Sequence, residues 1–449
     1  MKKFYLIAAA AAAVLAAGCA KNEVIQNQGP GDAVSFGVYA PKTVTKAGVS
    51  ATDFGSITTA TLQAAASAGF GVFGYYTGND NYAPASHAAN FMYNEQVTYT
   101  DTDGDSTPDS WTYSPVKYWP NEHGASAIST DTDKLTFLCY APYVANLVIN
   151  GNTNSTVSDG AGTPAAATEG IKEMTGNTAK ESASLTFSVP QSSEEQIDLL
   201  YGVINNPRPV NVDGNPEGTL YNPIENLTKE KTNGHVNILF KHALAKATID
   251  ILDVVDDVPA PTSVNPASDG TIVVVKSLNI LGGTGAKVFG TSGVLNLYTG
   301  AWSGVSGTSS FSVAPLPACI SVASTPNSQP NIEGVLEGGL TDANYTSVPG
   351  KIEIMFIPGG DITGIEIVYY VCTADNKLGF NGGASIIENH ITKYFDTDTS
   401  IAGDQPIETA MGFQYNITIR LGVTSVKLNA DVELWGTDDN PIDLPQNVS

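Results

Sequence analysis

Positive charge is scarce in this chain. Lys and Arg together number 21 against 45 Asp and Glu, a formal net charge of −24, and the only arginines are Arg208 and Arg420. So acidic a surface repels phosphate backbones, which excludes nucleic acid as a partner. Cysteine is scarce as well: beyond Cys19 there are Cys139, Cys319 and Cys372, whereas secreted disulfide scaffolds are far denser. Cys139 stands in LTFLCYAPY (135–143), in phase with Leu135 and Phe137, and reads as a small buried apolar residue. One disulfide among these three stays open. No apolar run reaches the length of about 20 residues that a membrane-spanning helix needs. The five histidines, His87, His123, His235, His242 and His390, show no HxH or HxxxH spacing, so none pair as zinc ligands. His242 shares a phase with Ile238 and Phe240 and reads as a hydrogen-bonded core histidine. Neither GxSxG nor a Walker loop nor a dinucleotide fingerprint occurs. GGTGAKVFG (282–290) lacks the GK[ST] ending and reads as a turn. Carboxylates are abundant, so counting alone does not exclude a glycosidase pair.

What the chain does have begins with its leader. Lys2 and Lys3 precede an uncharged apolar run from Leu6 to Ala17, too short to span a bilayer and suited to a secretory signal. The run ends in LAAGC (Leu15 to Cys19), which resembles the bacterial lipobox. That resemblance implies a signal peptide over 1–19 and a diacylated Cys19 at the mature N-terminus. Residues 20–32, polar with Gly and Pro, follow as a flexible tether.

Beyond the tether the periodicity is that of β-strands. Val34, Phe36, Val38 and Ala40 alternate with Ser35, Gly37 and Tyr39. Strand-length runs recur at 69–77, 197–203, 271–281, 351–357 and 364–372, and 44 Gly with 25 Pro punctuate them, as the turns of a sandwich require. Only residues 57–67 suggest a short helix. Residues 150–183 lack periodicity and read as a long surface loop. A second polar stretch, 205–234, divides the chain into domains 33–234 and 235–449. In 236–251 the apolar phase switches from Val236, Ile238 and Phe240 to Ala245, Ala247, Ile249 and Ile251, which predicts a bulge or a strand passing between sheets. Tyr415 to Leu421 and Val426 to Leu434 form a terminal hairpin, and Val426, Leu428, Ala430, Val432 and Leu434 line one face of its second strand. In DTDGDSTPDSW (101–111), Asp101, Asp103, Asp105 and Asp109 have the spacing of a calcium loop. Thr112 stands where an EF-hand needs Glu, so an acidic hairpin loop is the competing reading. Aromatics around Tyr75–Tyr76 and Trp111–Trp119 suit sugar binding or core packing.

The order of segments resembles the fimbrillin-like lipoproteins. Its stations are CAKNEV after the lipobox, VTKAG (44–48), GFGVFGYY (69–76), WTYSPVKYWP (111–120), LTFLCYAP (135–142), IDLLYGV (197–203), FKHALAKATI (240–249), IMFIPGG (354–360) and the stretch 412–435. This resemblance implies an all-β, two-domain, transthyretin-like β-sandwich with Greek-key antiparallel sheets. It also implies a pilus subunit at the outer membrane, without catalytic residues or an obligatory cofactor. In such a subunit a protease removes the lipidated end with the first strand, here Val34, Phe36, Val38 and Ala40. A neighbouring subunit then supplies a replacement, for which 426–434 or the tail with Ile442 and Leu444 is the candidate. The family commonly has Arg before the cleaved bond, whereas this chain has Lys46. A surface lipoprotein that binds glycans or host ligands without polymerising is the alternative, and a surface hydrolase is a more distant one.

Overall fold

A computed structural model describes residues 33–39, 59–64, 67–84, 86–101, 110–120, 122, 133–145, 147–149, 152–153, 169–175, 183–191, 195–204, 224–232, 234–253, 272–313, 352–374, 378, 384–395, 406–421 and 426–434. The strands of the first half are β1 (Ser35–Tyr39), β2 (Phe70–Tyr76), β3 (Met92–Thr100), β4 (Ser110–Thr112), β5 (Leu135–Ala141), β6 (Val148–Ile149), β7 (Asn152–Thr153), β8 (Gly170–Thr175), β9 (Ser184–Ser188) and β10 (Leu200–Gly202). Those that follow are β11 (His235–His242), β12 (Ala245–Asp253), β13 (Ile272–Gly282), β14 (Phe289–Asn296), β15 (Trp302–Thr308) and β16 (Ser310–Ser312). The last six are β17 (Ile352–Phe356), β18 (Asp361–Ala374), β19 (Ala384–Tyr394), β20 (Ile407–Glu408), β21 (Phe413–Leu421) and β22 (Val426–Leu434). Helix is limited to single turns, Thr59–Leu62, Lys229–Thr232 and a 3-10 turn at Gly285–Lys287.

The chain is an all-β sandwich. One sheet runs β1-β11-β10-β5-β2-β3-β4 and a second β15-β14-β9-β8-β6-β7. The third runs β17-β12-β21-β22 and the fourth β16-β13-β18-β19, with β20 on β18. Alternate residues face inward, as the two-residue period of a strand requires. Tyr415, Ile417, Ile419 and Leu421 are each at most 1% exposed while the residues between them are not buried. Strands β2 and β5 are buried along nearly their whole length, which is why GFGVFGYY and LTFLCYA read as continuous apolar runs. Pairing is antiparallel except for β1 with β11, β12 with β21 and β6 with β8. A parallel pair cannot be closed by a tight turn, and each of these partners is far apart in sequence.

The phase switch in 236–251 is a strand passing between sheets. Val236, Ile238 and Phe240 bury from β11 in the first sheet, and Ala245, Ala247, Ile249 and Ile251 bury from β12 in the third. The chain crosses at Ala243–Leu244, where Ala243 N–H donates to Leu199 O at 2.7 Å and Trp302 Nε1 donates to Ala243 O at 2.7 Å. Residues 289–308 return as β14 and β15 to pair with β9, in register Ser292↔Ser188 to Asn296↔Ser184. The stretch 150–183 is not all loop: Gly170–Thr175 is β8, paired with β9 and burying Ile171 and Met174. A register shift between Ile171 and Glu173 breaks the two-residue alternation there, which hides the strand from a periodicity search.

Candidate functional site: the seat of the first strand

Strand β1 is short and lies at the edge of its sheet. Its five residues run parallel to β11, from Ser35↔His235 to Tyr39↔Leu239. At its start Ser35 N–H extends the β11 ladder by donating to Gly234 O at 3.2 Å, and a second neighbour joins: Val34 N–H donates to Lys117 O at 2.9 Å and Ala33 bridges to Tyr118. From Phe36 onward no strand pairs with its other edge among the described residues.

Side chains hold it more firmly than its backbone. Val34, Phe36 and Val38 are 2%, 3% and 6% exposed, as their alternation leads one to expect. The Phe36 ring meets Phe137, Tyr113 and Phe70 edge-on, with centroids 5.6, 5.5 and 6.1 Å away. Phe70 in turn packs on Trp111 and Phe240 at 5.3 and 5.5 Å. Burying a Val or Phe side chain contributes about 1.5–3 kcal/mol, so three such side chains outweigh five residues of pairing in seating β1. Removing the strand would expose an apolar trough floored by Phe70 and Phe137 and an unpaired edge of β11.

Polar contacts fix its register. Tyr113 Oη donates to Val34 O at 2.7 Å while its ring lies against Phe36; burial pushes this phenol up to about 12. On the outer face Ser35 Oγ and His235 Nδ1 are 2.9 Å apart. Burial lowers the His235 pKa, partly offset by the neighbouring Asn237 side chain. Between them lies Gly37, where an added Cβ would run into Asn237 Oδ1 and stand 2.6 Å from His235 Nε2. Glycine lets β1 lie close under these two side chains. The periodicity of residues 34–40 gave the inward face, but nothing in it marked Tyr113, His235 or Asn237, because all three come from segments distant in sequence. The one usable signal was the aromatic group around Trp111–Trp119, suited to sugar binding or core packing.

The second predicted element, β22, forms the expected hairpin with β21 in unbroken register from Phe413↔Leu434 to Leu421↔Val426. Leu428 is buried, Ala430 is half-buried, and Val432 is 48% exposed. Strand β22 ends its sheet. Cys19, Ala40 and Lys46 lie outside the described residues, as do Asp103, Asp105 and Asp109; Asp101 is half-buried at the end of β3. The hairpin that carries this acidic loop is present, with Tyr99↔Trp111 in register. Among the described residues no three His, Cys, Asp or Glu converge as metal ligands, and no helix is long and apolar enough to cross a membrane.

Several other expectations meet their residues here. Cys139 is a free, fully buried thiol whose pKa burial pushes far up. His242 is buried with its Nδ1 2.8 Å from Asp198 Oδ2, the hydrogen-bonded core histidine expected; Asp198, 44 positions away, was not anticipated. Tyr75 and Trp119 are core residues at 1% and 7% exposure, and Trp119 Nε1 donates to Gly234 O at 3.1 Å beside β1.

Comparison with known proteins sets this all-β sandwich beside fimbrial proteins. Over 235 residues, 51% of the chain, it is 28% identical to the fimbrium subunit Fim1C of Phocaeicola vulgatus, and it spans 46% of that relative's length. Its fold matches that of a fimbrial protein from Bacteroides vulgatus ATCC 8482 with a TM-score of 0.53 at 19% identity, over 90% of this chain and 99% of that one. No family model matches the chain.

Proposed function

We propose that this protein is a structural subunit of a cell-surface pilus or fimbria that joins its neighbours by exchanging β1 for a strand of another subunit. The observation that carries this reading is the seat of β1: an edge strand paired to one neighbour, with Val34, Phe36 and Val38 sunk in an aromatic trough. Such a strand is separable, and the trough it leaves would combine an unpaired edge with apolar pockets for alternate side chains, the two requirements for strand addition. The similarity to a fimbrium subunit over half the chain supports the same reading. In this scheme Cys19 holds the precursor to the outer membrane by its lipid, cleavage after Lys46 frees the segment that includes β1, and residues 426–434 or the tail beyond them supply the incoming strand. The role is structural rather than catalytic. The two-domain division, 33–234 and 235–449, belongs to this proposal too.

Limited trypsin digestion of the purified protein tests it. The expected product begins at Ala47 and forms high-mass oligomers, whereas Lys46→Ala, or a form lacking residues 426–449, stays monomeric under the same treatment. A cut product that remains monomeric at high concentration would overturn the reading and favour a non-polymerising surface lipoprotein that binds glycans or host ligands. Separately, Cys19→Ser should abolish incorporation of a palmitate analogue and move the protein out of the membrane fraction; unchanged labelling would remove the lipid anchor from the scheme.

A further inference from the structure

Far from the seat of β1, the outer face of the third sheet carries an unusual group of side chains. Ala247, Ile249, Tyr415, Ile417, Ile352 and Ile354 turn inward, so Lys246, Thr248, Gln414, Asn416 and Glu353 share the opposite face. Lys246 is nonetheless 1% exposed and Thr248 3%. Lysine is almost never buried so completely without a partner, and the Lys246 amine has one: Nζ lies 3.0 Å from Glu353 Oε1. Glu353 is directly across β17 from Thr248, and Asn416 is directly across β21 from the same Thr248. Having reached Glu353, the amine therefore stands two residues forward along its strand, level with the row that also holds Asn416. Gln414 Nε2 donates to Asn416 Oδ1 at 2.9 Å, and Thr248 Oγ1, between Glu353 and Asn416, is buried without a hydrogen-bond partner.

From this arrangement we infer that Lys246 and Asn416 are the partners of an intramolecular isopeptide bond that links β12 to β21. The group contains each part that acyl transfer needs: a desolvated amine as nucleophile, a carboxyl group in contact with it, a carboxamide on the adjacent strand, and a donor on the carboxamide oxygen. The step needs the uncharged form of the pair, in which Glu353 holds the proton. Lys246 Nζ attacks Asn416 Cγ, and the new C–N bond forms as negative charge gathers on Oδ1, where the Gln414 N–H already points. Glu353 passes its proton to the departing amide nitrogen and takes one from Nζ. The Cγ–Nδ2 bond breaks and ammonia leaves, with no oxidant, metal or second substrate. In the product the carbonyl oxygen offers Thr248 Oγ1 the acceptor it lacks, and Glu353 accepts from the new N–H. The bond would fasten the first strand of the third sheet to the hairpin that ends the described chain, so a load applied between them would meet a covalent link as well as parallel pairing.

Intact-mass spectrometry of the full purified chain decides the matter. The expected mass falls short of the sequence mass by about 17 Da, one ammonia lost to amine attack, and digestion yields a branched peptide joining the segments around Lys246 and Asn416. Replacing Asn416 by Asp changes the leaving group to water, so the shortfall should move to about 18 Da in the same branched peptide. Glu353→Gln should restore the full mass while the protein still shows a cooperative thermal transition. A folded wild-type chain with its full sequence mass and only linear peptides would overturn the inference. So would a shortfall that persists in Asn416→Ala, which would place the loss elsewhere.

Discussion

Strand β1 has five residues in register with a neighbour and β22 has nine, yet among the described side chains the alternating residues of the β1 segment lie deeper. Val34, Phe36 and Val38 are all at most 6% exposed, whereas Leu428, Ala430 and Val432 run from buried through half-buried to 48% exposed along β22. Antiparallel pairing is also the slightly stronger kind per residue, so β22 is held chiefly by its backbone and β1 by what its side chains fill. The two modes leave different things behind on removal. Taking β1 away opens a trough; taking β22 away trims an edge. A seat that can be emptied and refilled needs pockets, and Val34, Phe36 and Val38 fill such pockets.

The contrast can be broken most forcefully at Phe36. Phe36→Ala removes the ring that meets Phe70, Tyr113 and Phe137 and should cost about 3–5 kcal/mol, read as a shift of the urea midpoint at unchanged slope. A loss below about 1 kcal/mol would mean that β1 contributes little to the fold, and the trough would then be no site for exchange. A smaller effect is expected at Tyr113→Phe, which keeps the ring and deletes the hydrogen bond to Val34 O; a net cost of about 1 kcal/mol fits such a bond.

Proton linkage sharpens the same comparison. The Tyr113 phenol is raised to about 12 in the folded chain, against about 10 when unfolded. Above pH 10 the unfolded state therefore loses this proton first, and stability falls as pH rises toward 12. Tyr113→Phe should reduce that alkaline slope. His235 works from the acid side. Its pKa is lowered, so the unfolded state binds its proton first and stability drains away as pH falls through about 6.5. His235→Gln should flatten the acid slope of thermal melts; an identical slope would detach His235 from the seating of β1.

Much of this contrast was legible in the chain itself. The inward face of β1 follows from Val34, Phe36 and Val38 at every second position, and the β21–β22 hairpin from two alternating runs around a turn. The crossing at Ala243–Leu244 shows as a change of phase, since a strand that changes sheets must turn its other face to a core. Partners were not legible. Nothing in Ser35–Tyr39 says that it lies along His235–Leu239, because parallel pairing between distant segments leaves no local signature. The return of Phe289–Thr308 to the sheet of β9 is hidden for the same reason, and β8 is hidden by its bulge. The buried pair of Lys246 with Glu353 was likewise out of reach, since each residue alone looks like an ordinary surface charge on an alternating strand.

The smallest effect is expected at Val432, and it bears most directly on exchange. Nearly half of this side chain is in solvent, so Val432→Ser should change the stability of the intact subunit by no more than about 0.5 kcal/mol, the usual range for exposed positions. Combined with Phe36→Ala it should simply add, because the two strands lie in different sheets. After trypsin treatment the expectation reverses. If β22 of one subunit enters the emptied trough of the next, its alternating residues Leu428, Ala430 and Val432 take the places of Val34, Phe36 and Val38. A serine would then bring a hydroxyl into an apolar pocket, at a cost of about 1–3 kcal/mol when left unpaired. Oligomers of the cut Val432→Ser protein should therefore dissociate at lower denaturant concentration than wild type, although the uncut monomers unfold together. Equal dissociation would exclude Val432 from the joint and shift the donor to the tail with Ile442 and Leu444.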